Sequence, residues 1–389
     1  MKAALNLGTK HCSTVEVSLR GAFGCPYSGH GSVYTGTAVR IQCMRNVRVA
    51  MLGSGFVADF YMQGLSNVNG HEVVVNYSRN FDRASAFAHR WSISESSADL
   101  SHLIGRADID LFVIALPNDA HLPVSLALSK STRNQVCTKP LGRNRHEAKS
   151  MLEAARNSGA MHGYAETEVF APCVVKAKQI VAEGGVGKVH WVRSRESHSG
   201  PHSSHFWDVE KTGGGAMNDL GCHCIAAARY FFGKEDPVVA VMAWGGRLMH
   251  HEKTTGEDNA LLILSFASGG IGHCELSWTT KGGLDLRNEI HGSEGSIFTD
   301  VTRSTPITSF STKSAGYVIE KADIDFGWTR PLPEEAFAYG YQGEMRHFIE
   351  CVSQGTPARE TYEDGYIVNC ILDAGYESVR SRQWVDVAY

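Results

Sequence analysis

Val47-Arg-Val-Ala-Met-Leu-Gly53-Ser-Gly55-Phe56-Val57-Ala58 is the stretch on which the fold turns. Its first six residues are mostly apolar and read as a buried parallel strand. Gly53 and Gly55 then permit a tight turn and a close backbone approach. Ala58 takes the third small position, at the start of a helix. Strand, glycine turn and helix together make the G-x-G-x-x-G/A pattern of dinucleotide binding. The cause is electrostatic: a diphosphate rests on the free N–H groups and positive dipole of a helix N-terminus. A plain βα turn has the same outline, so the neighbouring sequence decides between them.

Downstream, strand and helix patterns alternate. His71–Tyr77 reads as a second strand, and Asn80 or Asp82 as the cap of a helix with Ala84, Phe87, Ala88 and Trp91 on one face. Leu111–Leu116 is a buried strand that stops at Pro117. A helix follows from Ala120 to Lys130, then a short strand, Asn134–Thr138, ending at Lys139-Pro140. Another helix carries Ala148, Met151, Leu152 and Ala155, and Met161–Ala165 is the last strand of the run. Repeated βα units imply a doubly wound parallel sheet with right-handed crossovers. In that setting the glycine turn at 53–58 reads as a Rossmann cofactor site.

The end of the second strand bears on which cofactor. An acid there bonds the ribose 2′-hydroxyl and favours NAD. Here the chain reads Tyr77-Ser78-Arg79-Asn80, with Arg83 close behind. Ser78 brings no repelling carboxylate, and Arg79 can pair a 2′-phosphate bidentately, so NADP is expected over NAD. The alternative is that Arg79 is a solvated turn residue.

After residue 166 the rhythm changes. Strand-like runs dominate at Lys188–Glu196, Val238–Met249, Ala260–Ala267, Ile271–Thr280, Leu286–His291 and Gly295–Thr299. Ser268-Gly-Gly270 and Gly292-Ser-Glu-Gly295 are hairpin signals between them. The fold class is therefore α/β: a Rossmann domain over 47–166, then an α+β domain over 167–389 with a large, mostly antiparallel open sheet. Residues 1–46 stand apart, with one acid, Glu16, against Lys2, Lys10, Arg20, Arg40 and Arg45. This leader reads as an over-extended start ahead of Met44, or as a transit-type segment.

Composition limits the function. The 389 residues are 43% hydrophobic and 20% charged with net charge −4, which suits a globular protein and gives no electrostatic case for nucleic acid or an anionic membrane. No apolar run approaches a membrane span. The ten cysteines show no paired C-x-x-C units and read as reduced thiols of a cytoplasmic protein.

The chemistry concentrates in Thr212-Gly-Gly-Gly-Ala-Met-Asn-Asp219-Leu-Gly-Cys-His223. Met217, Leu220, Cys224, Ile225 and Ala228 give a helical apolar face, and Asp219 and His223 are neighbours at i and i+4. A histidine beside a carboxylate is either a satisfied structural pair or an acid–base unit near neutral pH. Lys139, at the carboxyl end of a parallel strand, borders the ligand crevice of such a sheet and favours the second reading.

With these residues in view, the chain resembles the Gfo/Idh/MocA oxidoreductases over about residues 47–387. The matching features are Gly53–Ala58, Pro117-Asn118 with His121, Thr138-Lys139-Pro140, Gly213–His223 and Gly292-Ser-Glu-Gly295-Ser. The resemblance implies a nicotinamide between the two domains and hydride transfer at a carbinol carbon of a sugar, inositol or related polyol. It implies that Pro117, Asn118, His121, Lys139 and Pro140 join Gly53, Gly55, Phe56, Val57, Ser78, Arg79 and Arg83 around the cofactor. Lys139 would orient the substrate hydroxyl and relay a proton. His223 would be base in oxidation and acid in reduction, and Asp219 would hold the substrate or the histidine. Dimers or tetramers are implied as well.

There are departures. Thr138 stands where the family usually has Glu, and Ala226 where many members have an acid. Glu166 and Glu168 replace basic character after the last Rossmann strand, which favours a neutral polyol over a phosphorylated or carboxylated one. Glu168 can equally cap the following helix. In the loop Ser197–Asp208, Trp207 is a candidate stacking platform and His205 a candidate substrate donor, or the Trp simply packs. A rival reading makes His198, His202, His205, Asp219 and His223 the ligands of a metal-dependent isomerase or lyase. A non-catalytic nucleotide sensor, or transient oxidation within a non-redox glycoside reaction, are the remaining alternatives.

Overall fold

The computed structural model describes residues 45–389, apart from 304 and 315, together with a separate two-residue antiparallel pair, β1 (Val15–Glu16) and β2 (Arg40–Ile41). The reading of residues 1–46 as a leader otherwise lies outside the described residues.

From Val47 the βα rhythm builds a six-stranded sheet. Its strands are β3 (Val47–Leu52), β4 (His71–Tyr77), β5 (Glu95–Ser97), β6 (Leu111–Ile114), β7 (Gln135–Thr138) and β8 (His162–Ala165). The order is β5-β4-β3-β6-β7-β8, all parallel. Burial on both faces explains the apolar runs: Val49–Leu52 and Phe112–Ile114 are solvent-free. The intervening helices are α1 (Phe56–Leu65), α2 (Phe81–Arg90), α3 (Leu100–Gly105), α4 (His121–Lys130) and α5 (Arg145–Ser158). Asn80 caps α2 by accepting from the Arg83 N–H at 3.0 Å. The order of strand addition reverses between β3 and β6, the switch point where such sheets bind ligands. Gly53 sits there with φ +129°, and a Cβ on it would lie 2.1 Å from the Ala115 carbonyl oxygen, so only glycine fits.

Beyond β8, α6 (Pro172–Ala182) leads into a seven-stranded sheet. It comprises β9 (Val189–Ser197), β10 (Val238–Gly246), β11 (Asn259–Phe266), β12 (Ile271–Ser277), β13 (Asp285–Gly292) and β14 (Ser296–Asp300), with a short last strand near the C-terminus. The order is β14-β13-β9-β12-β11-β10 and then that last strand. All neighbours are antiparallel except β9 and β12, which run parallel. Both hairpin signals, at Ser268–Gly270 and Gly292–Gly295, turn the chain between strands. After a single helical turn, α7 (Val209–Thr212), the long α8 (Ala216–Phe232) lies on β9 and β12. Its Met217, Leu220, Cys224, Ile225 and Ala228 are buried in the second core.

The division at 166 is crossed later in the chain. The helix after α9 (Glu335–Tyr339), α10 (Tyr341–Gln354), packs on α1. It puts Met345, Phe348, Ile349 and Cys351 into the core of the Rossmann sheet. The last helix, α11 (Tyr362–Ser381), spans α5, α8 and β10. The two sheets thus share helices instead of standing as separable halves.

Candidate active site

A cleft of about 740 Å³ opens at the carboxyl ends of β3, β4 and β6 and runs to the N-terminal half of α8. At one end lie Gly53, Gly55, Phe56, Val57, Ser78, Arg79, Arg83, Pro117 and Asn118, all read from the sequence as cofactor residues. The turn is fixed by a residue the sequence reading passed over. Asn76, fully buried, donates to the carbonyls of Met51 at 3.1 Å and Gly53 at 2.6 Å, and accepts from Ser54 Oγ. A nicotinamide dinucleotide fits this end. The first N–H groups of α1 have no side-chain cap, and a Cβ at Gly55 would meet nothing within 4 Å. The helix terminus therefore faces open space with unsatisfied donors.

At the other end Lys139, Glu168, His205, Asp219 and His223 line the cleft. The Lys139 ammonium donates to Asp219 Oδ1 and to the Asp219 carbonyl, both at 2.9 Å. Burial works against the charged lysine, yet Asp219 overrides it and raises its pKa well above the usual range. Burial likewise works against ionised Asp219, but Lys139 chiefly, with His198 and Lys321, holds it down to about 2. Trp278 Nε1 donates to the second Asp219 oxygen at 3.2 Å. Asp219 is thus committed to Lys139, not to His223 as its i, i+4 spacing allowed.

His223 takes Glu166 instead. Its Nδ1 pairs with Glu166 Oε1, and its Nε2 stands 3.9 Å from Glu196 Oε2. Burial disfavours the imidazolium, but Glu166 and then Glu196 outweigh it and lift His223 to about 9. The site presents two cationic proton donors, an ammonium and an imidazolium, each oriented by its own carboxylate. Glu166 lies behind His223, buried, and does not line the cleft.

Three expected contacts fall elsewhere. His121 is buried, with its ring nitrogens near the carbonyls of Pro140 (3.0 Å), Leu141 (3.3 Å) and Leu116 (2.9 Å), so it braces the Lys139-Pro140 turn from behind. Pro140 belongs to that same turn and is likewise outside the cleft wall. Trp207 is not in the cleft wall: its ring packs edge-on against Trp278 and His250, with the Lys253 ammonium 5.0 Å over it. The loop histidines do not gather as metal ligands either. Among the described residues, the donor atoms close enough to share an ion are those of Glu166, Cys222 and His223. Cys222 is a poor ligand as placed, because burial raises its thiol pKa and its Sγ donates to the Asp219 carbonyl.

The sequence reading missed Glu196, Glu320 and Lys321. Glu196 was findable: Val192, Ser194 and Glu196 share one face of β9 by alternation, and all three are buried. Glu320 and Lys321 come from the irregular 303–334 segment, where no period points inward.

Two family descriptions match this chain. "Oxidoreductase family, NAD-binding Rossmann fold" covers residues 47–165, and "GFO/IDH/MocA C-terminal domain" covers 174–298. The chain belongs to the Gfo/Idh/MocA family. Similar proteins include a levoglucosan dehydrogenase of Pseudarthrobacter phenanthrenivorans, 27% identical over 88% of this chain and 99% of its own length. A scyllo-inositol 2-dehydrogenase (NAD(+)) of Bacillus subtilis is 28% identical over 79% of this chain and 87% of its own. Among solved structures, GenD2 from gentamicin A biosynthesis, in complex with NAD, superposes with a TM-score of 0.83 at 27% identity, covering 92% of this chain and all of that one. The Gfo/Idh/MocA chain described here is accordingly an oxidoreductase with a nicotinamide-dinucleotide Rossmann fold.

Proposed function

We propose that this enzyme moves a hydride between a nicotinamide cofactor and a carbinol carbon of a sugar, inositol or related polyol. The observation that carries the reading is the convergence of two carboxylate-oriented proton donors, Lys139–Asp219 and His223–Glu166, on one cleft with the glycine turn. When bound, the cofactor accepts or supplies the hydride. The protein's part is the proton. In oxidation the neutral imidazole of His223 takes the hydroxyl proton, and the Lys139 ammonium steadies the negative charge that grows on that oxygen. In reduction His223 enters as the acid. Glu168 and His205 line the same end of the cleft and complete the substrate surround. The buried acids there disfavour phosphate or carboxylate on the substrate.

NADP is the preferred cofactor in this reading. No acid stands at positions 78–81 directly after β4, and Arg79 and Arg83 line the cleft beside Ser78. The names of the similar proteins speak for NAD, so the preference rests on these three residues. The reading also places the enzyme in the cytoplasm. The seven described cysteines are free thiols, and no described helix is long and apolar enough to cross a membrane.

The test combines binding with turnover. NADP should raise the melting temperature, and by more than NAD does, since a ligand of the native state stabilises it. Lys139→Ala should keep that shift while polyol-dependent reduction of the cofactor falls by about a hundredfold or more. A larger shift with NAD reverses the cofactor choice, and surviving turnover removes Lys139 from the chemistry.

A further inference from the structure

Two carboxylates of the cleft wall, Glu168 and Glu196, each keep an oxygen without a hydrogen-bond donor. Asp219 faces Lys139, Glu166 faces His223, and the Lys321 ammonium reaches the Gly200 carbonyl at 3.1 Å. Glu168 has no ion-pair partner, and Glu196 reaches only His223 Nε2, at 3.9 Å, beyond hydrogen-bond distance. Glu168 Oε1 accepts from Asn288 Nδ2 at 2.7 Å, but its Oε2 is buried without a hydrogen bond, and so is Glu196 Oε2. Both residues line the cleft, at 2% and 7% exposure. Three acids, Glu166, Glu196 and Glu168, thus lie around the one imidazolium of His223.

Buried acceptors without donors are costly, and ones facing a cleft mark the place of a ligand's donors. Hydroxyl groups would satisfy the free oxygens but bring no counter-charge to the acids. An ammonium group brings three donors and a positive charge to the same spot. Burial already pushes Glu168 up to about 8 and raises Glu196, the expected response of acids waiting for a counter-charge.

We propose that the substrate is an amino-polyol whose ammonium group is held by Glu196 and Glu168 beside the reacting carbinol. The inference rests on the dehydrogenase reading above and narrows its substrate. Placement supports it. Glu196 Oε2 is 3.9 Å from His223 Nε2, the nitrogen free to meet the substrate hydroxyl. Glu168 follows Glu166, the partner of His223, by two residues on the turn Thr167–Phe170.

The experiment uses the full chain saturated with NADPH or NADH, whichever gives the larger thermal shift. Matched pairs, glucosamine against glucose and serinol against glycerol, are titrated by calorimetry, with N-acetylglucosamine as the uncharged control. The amine should bind at least about tenfold tighter than its neutral partner, the worth of one charged hydrogen bond. N-acetylglucosamine should bind no better than glucose. Glu196→Gln and Glu168→Gln should each narrow the preference to about twofold, with an unchanged or higher melting temperature, because each replaces a buried acid that lacks a donor on one oxygen. If no amine outbinds its neutral partner while the cofactor still stabilises the chain and a neutral polyol is turned over, this inference fails and the dehydrogenase reading stands. If neither cofactor stabilises the chain, both fall together.

Discussion

His223 carries more negative charge around it than a base normally tolerates, and that sets a pH signature. Held at about 9, it is an imidazolium throughout the neutral range. Only about one part in a hundred is neutral at pH 7, so oxidation starts from a minor form and reduction from the major one. The expected profile follows: kcat/KM for the polyol rises with pH towards a plateau well above 6.5, and the rate of reduction falls over the same range. Glu166→Gln removes the nearer counter-charge and should move both midpoints down by at least about one unit, towards the ordinary histidine value. Midpoints unmoved in that variant would exclude His223 as the titrating group. The same shift enters stability. A histidine with a raised native pKa stabilises fully below about 6.5 and loses that contribution as pH climbs through 9. At this scale the sequence was partly legible. Residue type and helical spacing pointed to Lys139, Asp219 and His223. Their partners were not readable, because which carboxylate meets which cation depends on contacts 57 and 80 residues apart along the chain.

Elements were easier to read than their directions. Burial follows the period-two and helical patterns closely, so nearly every strand of both sheets lies within a residue or three of its expected bounds. The β5 strand escaped because Glu95–Ser97 is short, polar and at the sheet edge, where no apolar face is needed. The parallel β9–β12 pair escaped because alternation encodes a buried face and not the neighbour's direction. The α10 helix falls inside the expected second domain, 167–389, although it packs into the core of the first sheet. Phe348 is solvent-free, and a Cβ on Gly163 of β8 would lie 2.4 Å from its ring. Phe348→Ala should therefore cost about 3–5 kcal/mol in denaturant unfolding, as a core cavity does. A loss under about 1 kcal/mol would mean that α10 is a peripheral cover.

On the whole molecule, the seven-stranded sheet has one face packed by helices and one without a cover among the described residues. The inner face holds Ala260, Leu262 and Leu264; the outer face of the same strand presents Leu261. Register brings Trp244 beside Leu261 and Trp191 beside Ile271, so apolar side chains meet across strands on the outside. Trp244 is 49% exposed and Phe298 68%. Between these apolar ends runs a lattice of opposite charges, with Arg193 and Arg195 both on Glu275. A broad face of large apolar groups around a charge-paired centre is costly to leave in water, and a two-fold copy of itself can cover it. We therefore expect light scattering on the full chain to report a dimer or tetramer. Trp244→Asp combined with Leu261→Asp should shift it towards the monomer at micromolar concentration, because each acid would be buried against the partner's apolar surface without a counter-ion. Cofactor binding should persist in that variant, since the glycine turn lies on the other sheet. A native chain that is already monomeric, or a double variant that stays assembled, would move the subunit contact away from this face.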